Sequence, residues 1–145
     1  MYNAKDISDY IVIKCYDDNM PINNLQLQQI LYFIQIEFLK QKRGLVFSEY
    51  FHAWAFGPVL PSSYYRYCTY GAMDILPIRA TYKGAEISSL DLSIIDSVIL
   101  KYRELPPWDL AEISCREGGA WFRTYKNENN GNKLIPISEI RKYDL

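Results

Sequence analysis

Histidine is almost missing from this chain: 145 residues carry one, His52. Cysteine is sparse and unpatterned. Cys15, Cys68 and Cys115 are odd in number and widely spaced, with no Cys-x-x-Cys. That excludes a disulfide framework and the usual zinc spacings, and free thiols point to a reducing interior. No charge of one sign is in excess. The net charge is -1 and the sequence pI about 5.8, so bulk attraction to nucleic acid or an anionic membrane is not expected. The only tight basic patch is "QKRG" at 41–44. No apolar run is long enough to span a bilayer. The opening "MYNAKDISDY" has acids where a signal peptide needs positive charge and an apolar run. Neither common phosphate-cradling glycine motif occurs. These absences lead to the expectation of a soluble, cytoplasmic protein with no cofactor, no metal and no direct nucleic-acid contact.

What is present is apolar and aromatic. Hydrophobic residues make up 49% and aromatics 15%, with 13 tyrosines. That is the composition of a folded chain of one-domain size, 1–145, able to bury a core unaided. Asn3 and Asp6 mark a helix start, and Ile7, Ile11 and Cys15 share one face of a helix over about 4–17. Asn23 and Gln26 have capping-box spacing, with Ile22 and Leu27 placed as a hydrophobic staple. Two apolar stripes follow: Leu27, Ile30, Leu31, Ile34 and Phe38, then Leu25, Tyr32, Ile36 and Leu39. A helix apolar on two sides is buried between neighbours, so this one is expected at the centre. Gly44 caps its end.

Alternation and aromatic content at 46–56 read as a strand, broken by Gly57-Pro58 and paired antiparallel with 75–82. A short helix ending at Gly71, a helix capped by Ser88 or Ser89, and a short helix behind Pro106-Pro107 follow. "NENNGNK" at 127–133 reads as a turn or mobile loop, and the tail as a last turn or two of helix. The expected fold is α+β and predominantly helical: five or six helices around a central buried helix, with a small antiparallel sheet of two or three strands.

Catalysis would have to use His52, as in a small hydrolase with a Ser-His-Asp or Cys-His arrangement. Its strand pattern points instead to a half-exposed residue with one hydrogen bond. The carboxylate pairs Asp17-Asp18 and Glu112 with Glu117 read as solvated surface charge. The "YYRYCTY" cluster is more informative. Tyr64, Tyr65, Arg66, Tyr67 and Tyr70 occupy two helical turns, and not all can point inward on a 3.6-residue period. Tyr64 and Tyr67 are expected to pack, leaving Tyr65 and Arg66 outward as a protein-binding surface, since exposed Tyr and Arg are enriched at hot spots. Base stacking lacks the usual positive funnel.

"INNLQLQQILYFIQIEFL" followed by "AWAFGPVLPSSYYRY" resembles the Panacea-domain family, the SocA-like and phage-associated GepA-like proteins. Its pattern is a capped "tNLkLqKLLYya" helix, then a "W-x-x-G-P-V" segment leading into an aromatic helix. The matches are Asn24, Leu25, Leu27, Gln28, Leu31 and Tyr32, then Trp54, Gly57, Pro58 and Val59. "DLAEISCREGGAW" is similar to the family's later stretch ending in tryptophan, here Trp121, and the resemblance spans roughly 4–142. Two positions depart from it. The family's lysine is Gln29 here, and its Thr-His pair is Ser114-Cys115. The motif residues are read as architecture, with Trp54 as a buried anchor. The resemblance implies a non-enzymatic antitoxin that neutralises a toxin by direct contact; a SocA-like member also serves as a protease adaptor. Relatives with an added DNA-binding domain exist, for which this chain is expected to have no room. A phage- or prophage-encoded inhibitor of a host or defence protein, such as a nuclease, is the alternative.

Overall fold

Side-chain caps set where the first two helices begin. In the computed structural model, which describes residues 1–127 and 133–145, α1 spans Ala4–Asp17 behind Asn3, whose side chain accepts the Lys5 N–H at 2.8 Å. α2 spans Asn24–Lys40 behind a complete capping box. The Asn23 side chain accepts the Gln26 N–H at 2.9 Å, and Gln26 Oε1 accepts the Asn23 N–H at 3.0 Å. Asn23→Ala removes one half of this exchange and is expected to lower stability by about 1 kcal/mol. A chemical denaturation midpoint equal to wild type would show that the box contributes nothing.

The sheet that follows is a hairpin of β1 (His52–Trp54) and β2 (Gly57–Val59), in the register His52↔Val59, Ala53↔Pro58 and Trp54↔Gly57. Next come α3 (Pro61–Tyr67), a 3₁₀ turn (Cys68–Tyr70), α4 (Ser89–Tyr102), α5 (Pro107–Ser114), α6 (Ala120–Lys126) and α7 (Ile137–Tyr143). The α+β, mainly helical class is as expected, with seven helices among the described residues rather than five or six. The unforeseen one is α6, whose start is the extended Gly119 with no side-chain cap to announce it.

α2 is the centre. Leu27, Ile30, Leu31, Tyr32 and Ile34 are all 0% exposed. The helix packs against α4, α5, α1, α3 and β2, the environment that two apolar stripes demand. The Ile94, Ile95, Val98 and Ile99 stripe of α4 faces it, and Tyr102 stacks on Phe33 with ring centroids 4.3 Å apart. Gly71, at φ +57°, caps the 3₁₀ turn.

The strand pairing differs from expectation on both sides. Gly57-Pro58 opens β2 instead of ending a long strand. The chain reverses over Ala55 and Phe56 and re-enters the sheet through Gly57 at φ +135°, a backbone state that glycine reaches without a Cβ clash. Pro58 lacks an N–H, but it lies opposite Ala53, whose own N–H donates away from the hairpin to the Lys133 carbonyl at 2.7 Å. No ladder bond is lost. Residues 75–82 form no strand. Ile75 N–H donates to the Ile22 carbonyl at 2.8 Å, and Thr81 N–H to Asp9 Oδ2 at 3.1 Å. The other edge of β1 is taken by residues 133–135, where Ile135 N–H donates to the Phe51 carbonyl at 2.8 Å. The turn or mobile loop expected at 127–133 falls mostly, at 128–132, outside the described residues.

Candidate protein-contact face

The motif residues of α2 hold the hairpin and α3 in place. Gln28 is buried, and its Oε1 accepts the Leu60 N–H at 3.1 Å. Its Nε2 donates to Asn24 Oδ1 and to Ser63 Oγ, each at 3.1 Å. Asn24 Nδ2 in turn donates to the Tyr64 carbonyl at 3.0 Å. One amide thus satisfies the first amide after β2 and a hydroxyl inside α3, where either group would be costly unpaired. Tyr32 acts at the other end of the chain. Its hydroxyl donates to Asp144, which also accepts the Ala120 N–H at 3.0 Å and Arg116 at 3.1 Å. Burial, and then the charge of Asp144, raise the Tyr32 pKa well above its ordinary value. Leu27, Leu31 and Val59 are core. Trp121 is buried, stacks on Tyr125 at 4.7 Å, and donates its indole N–H to the Trp54 carbonyl at 2.8 Å, tying α6 to β1.

The five residues of the tyrosine cluster divide. Tyr67 is core, with its hydroxyl donating to Asp9. Arg66 does not point outward: it makes a two-pronged bond to the buried Asp9, at 2.7 and 3.0 Å, and a further one to the Arg79 carbonyl. The long guanidinium stem folds back because a buried carboxylate on α1 needs a charged partner. Burial pushes the Asp9 pKa up, but the hydrogen bonds from Arg66, Tyr67 and Thr81 outweigh it, so the group stays below the usual carboxylate range. Tyr70 is half-buried, its hydroxyl donating to the Leu76 carbonyl at 2.9 Å. Tyr64 is half-buried and Tyr65 is 63% exposed.

Tyr64 and Tyr65 join an aromatic group around Trp54. Ring centroids lie 5.1 Å from Trp54 to Tyr64, 5.9 Å to Tyr65 and 5.9 Å to Phe56, mostly edge-on or tilted. Such pairs hold one another in fixed orientations. Trp54 is itself half-buried, so it is the hub of a surface cluster and not the buried anchor expected. Phe56, at the hairpin tip, is 39% exposed.

Next to Phe56 a cleft of about 380 Å³ opens between the hairpin tip and α5. Its walls are Leu25, Ala55, Phe56, Pro107, Ala111 and Trp121, and Gln29, Cys115 and Trp108 complete it. Trp108 is 71% exposed. Gly57 allows the hairpin to sit this close: a Cβ there would lie 2.5 Å from Gln29 Nε2 and 3.5 Å from Cys115 Sγ. Gln29 is 3% exposed, and its Oε1 has no hydrogen-bond partner among the described residues. A buried unpaired amide oxygen costs about 1–3 kcal/mol. Gly57→Ala is expected to cost about 1–3 kcal/mol through strain at positive φ and to push the Gln29 amide into the cleft. A thermal melt unchanged from wild type would show that the hairpin relaxes without cost.

Of this face the sequence reading named Tyr64 and Tyr65 as contact residues, and took Trp54 for a buried anchor. It missed Phe56, Trp108 and the cleft. Trp108 was findable: Leu110 and Ser114, the buried positions of α5, lie on the face roughly opposite it on a helical wheel. Gln29 and Cys115, the two departures from the family pattern, are 86 residues apart in sequence, yet both lie against the space beside Gly57.

The chemical alternatives find little here. His52 is a half-buried strand residue, as expected, but its ring has no hydrogen-bond partner among the described residues. Burial lowers its pKa, keeping it neutral at pH 7. Cys115 has its thiol pKa raised by burial, which disfavours the nucleophilic thiolate. Glu112 and Glu117 are exposed, and Asp18 pairs with Lys14 and Arg103. Among the described residues no group of three or more His, Cys, Asp or Glu side chains could hold a metal, and no helix is long and apolar enough to cross a membrane.

Comparison with known proteins agrees with the motif reading. The family model described as antitoxin SocA-like, Panacea domain, matches residues 27–122. Antitoxin SocA of Caulobacter vibrioides (strain NA1000 / CB15N) is 28% identical over 130 residues, covering 82% of this chain and 68% of the relative. No solved structure matches.

Proposed function

The chain belongs to the SocA-like Panacea-domain antitoxin family, and from that premise we propose that it is a non-catalytic antitoxin that neutralises a protein toxin by direct contact. The observation that carries this reading is the aromatic face: Phe56 and Trp108 stand exposed at an apolar cleft, and the exposed Tyr65 lies beside it in the group where the half-buried Trp54 and Tyr64 brace Phe56 and Tyr65. Large aromatic side chains held by their neighbours offer contact area with little rotamer entropy to lose. Tyr65 remains in the contact surface, whereas Arg66 and Tyr67 serve the fold. The relative's name, antitoxin, points to a toxin as the partner in general terms. Its chemistry follows from the surface: an apolar, aromatic-accepting patch with no demand for opposite charge.

Co-expression with the reading frame adjacent to this gene tests the proposal. The expected result is rescue of growth and co-purification of the two chains at a fixed ratio. Rescue without a complex would overturn direct contact. Capture of a host or defence protein instead of a neighbouring toxin would replace the antitoxin role with that of an inhibitor.

A further inference from the structure

The end of the molecule built from α6 and α7 gathers cations that the fold does not pair. Among the described residues Arg123, Lys126 and Lys142 have no carboxylate in salt-bridge range. Arg43, Arg66, Arg103 and Arg116, by contrast, each have an aspartate. The three unpaired cations are exposed, and each lies over an aromatic ring. The Arg123 guanidinium sits 3.7 Å from the centre of the Tyr143 ring, which joins α6 to α7, and Lys142 Nζ lies 5.2 Å from the same ring. Lys126 Nζ is 5.8 Å from the centres of both Phe122 and Tyr125. Arg123 is held a second time, its Nε donating to the Gly118 carbonyl at 3.0 Å. Its two Nη groups have no partner among the described residues. Arg123 and Tyr143 line a cleft of about 280 Å³ with Thr124, Asn127, Pro136 and Glu139. A guanidinium fixed at its face and its Nε has little rotamer freedom left to lose, and its open Nη pair is the fork that matches a carboxylate.

Three features select the anion. Salt screens charges beyond about 8–10 Å. A short acidic segment therefore meets this cluster alone, whereas a long polyanion also meets the rest of a chain whose net charge is -1. The cations already lie over the rings that nucleic-acid bases would need for stacking. Glu139, in the cleft, needs a donor from whatever docks there; a polypeptide brings backbone N–H groups and a phosphate backbone brings none. The other basic cluster, at 40–43, is not of this kind, because its arginine is engaged by Asp91.

We propose that the α6–α7 end binds an acidic segment of the protein partner, one Asp or Glu carboxylate on the Nη pair of Arg123 and neighbouring acids against Lys126 and Lys142. The proposal rests on the reading that the chain acts by contact with a protein. It adds a second contact, separate from the aromatic face. Trp121 lines the apolar cleft, and Arg123 leaves α6 on roughly the opposite side. A charged contact of this kind sets orientation and association rate more than affinity.

The test titrates the full chain with fluorescein-labelled hexaglutamate and hexaglutamine, read by fluorescence anisotropy at about 0.02 M and about 0.2 M salt. Hexaglutamate is expected to bind at the lower salt and to weaken about tenfold or more at the higher. Hexaglutamine, with the same label, should not bind. Arg123→Gln should weaken hexaglutamate about tenfold, the value of one charge-assisted pair. Arg123→Lys keeps the charge but not the fork and should weaken it about threefold. The double variant Lys126→Gln, Lys142→Gln changes only exposed lysines, so it decides the matter even if Arg123→Gln loosens α7; a loss of about tenfold is expected. Lys40→Gln, Lys42→Gln should leave the affinity unchanged. No binding of hexaglutamate at about 1 mM, equal binding of hexaglutamine, or an equal loss in the Lys40, Lys42 control would each overturn the proposal. Tighter binding of hexathymidylate would overturn it in favour of nucleic acid. Toxin affinity that ignores both salt and the Lys126, Lys142 variant would overturn the assignment to the partner. Loss of the hexaglutamate site with partner capture intact removes this contact alone, and failure of capture with the site intact removes the antitoxin reading alone.

Discussion

Asp9→Ala is expected to destabilise the protein by about 3–5 kcal/mol, the range for breaking a buried ion pair by removing one partner. Three elements meet at this carboxylate. It lies on α1, accepts Arg66 and Tyr67 from α3, and accepts the Thr81 N–H from the loop before α4. Without it, a guanidinium, a buried hydroxyl and a backbone amide lose their acceptor together. The same group predicts how stability depends on pH. Folding holds the Asp9 pKa below the usual value, which is about 3.9 in an unfolded chain. Its contribution is therefore complete above about pH 4 and is lost as pH falls through the folded value. Urea midpoints measured from pH 7 down to 2 should fall more steeply for wild type than for Asp9→Asn. The difference between the two curves isolates Asp9 from the other carboxylates. Parallel curves would mean that the Arg66 pair contributes no net stability.

The double variant Phe56→Ala, Trp108→Ala is expected to weaken toxin binding by about 100-fold or more, taking each as a hot spot of about 2 kcal/mol with incomplete additivity. Its melting temperature should stay close to wild type, because Trp108 stands largely in water and Phe56, at the hairpin tip, lies outside the core. Tyr65→Ala should cost about 30-fold on the same scale. Calorimetry against the captured toxin measures both variants. Unchanged affinity in the double variant would move the interface off this face. Collapse of the fold would mean that the two rings pack more than their exposure indicates.

The parts of the fold legible in the sequence are those written in local chemistry. The Asn23–Gln26 box, the Ser88 cap, Pro107 at a helix start and the two stripes of α2 all act within four residues. What could not be read depends on partners far along the chain. The alternation at 46–51 comes from burial of a loop: Val46 accepts the Tyr2 N–H and donates its own to Gln35 Oε1. The stretch 75–82 is held by Asp9 and Ile22 instead of a strand partner. Gly57-Pro58 reads as the stop of a strand, whereas the chain has already reversed over Ala55 and Phe56 and these two residues begin the next one. That they do so depends on Gln29 and Cys115 packing beside Gly57, which no spacing in the sequence announces.

The candidate site follows the same division. Crowding in "YYRYCTY" correctly required an exposed tyrosine, and Tyr65 is that residue. Crowding could not tell that Arg66 would turn back, because the deciding carboxylate, Asp9, lies 57 residues away on α1. The cleft required still more. It needs α2, the hairpin tip, α5 and α6 to be placed together before an unpaired amide and an exposed tryptophan become parts of one surface.

The central claim, neutralisation by stoichiometric contact through the aromatic face, is tested most directly by titrating the activity of the captured toxin against added antitoxin. Wild type and His52→Ala should extinguish it along the same line, with a sharp break at a fixed molar ratio, and Phe56→Ala, Trp108→Ala should need a large excess. Loss of toxin activity at far less than one equivalent, progressing with time, would mean turnover. An aromatic double variant with the wild-type break point would place the contact elsewhere. Either result would contradict the account.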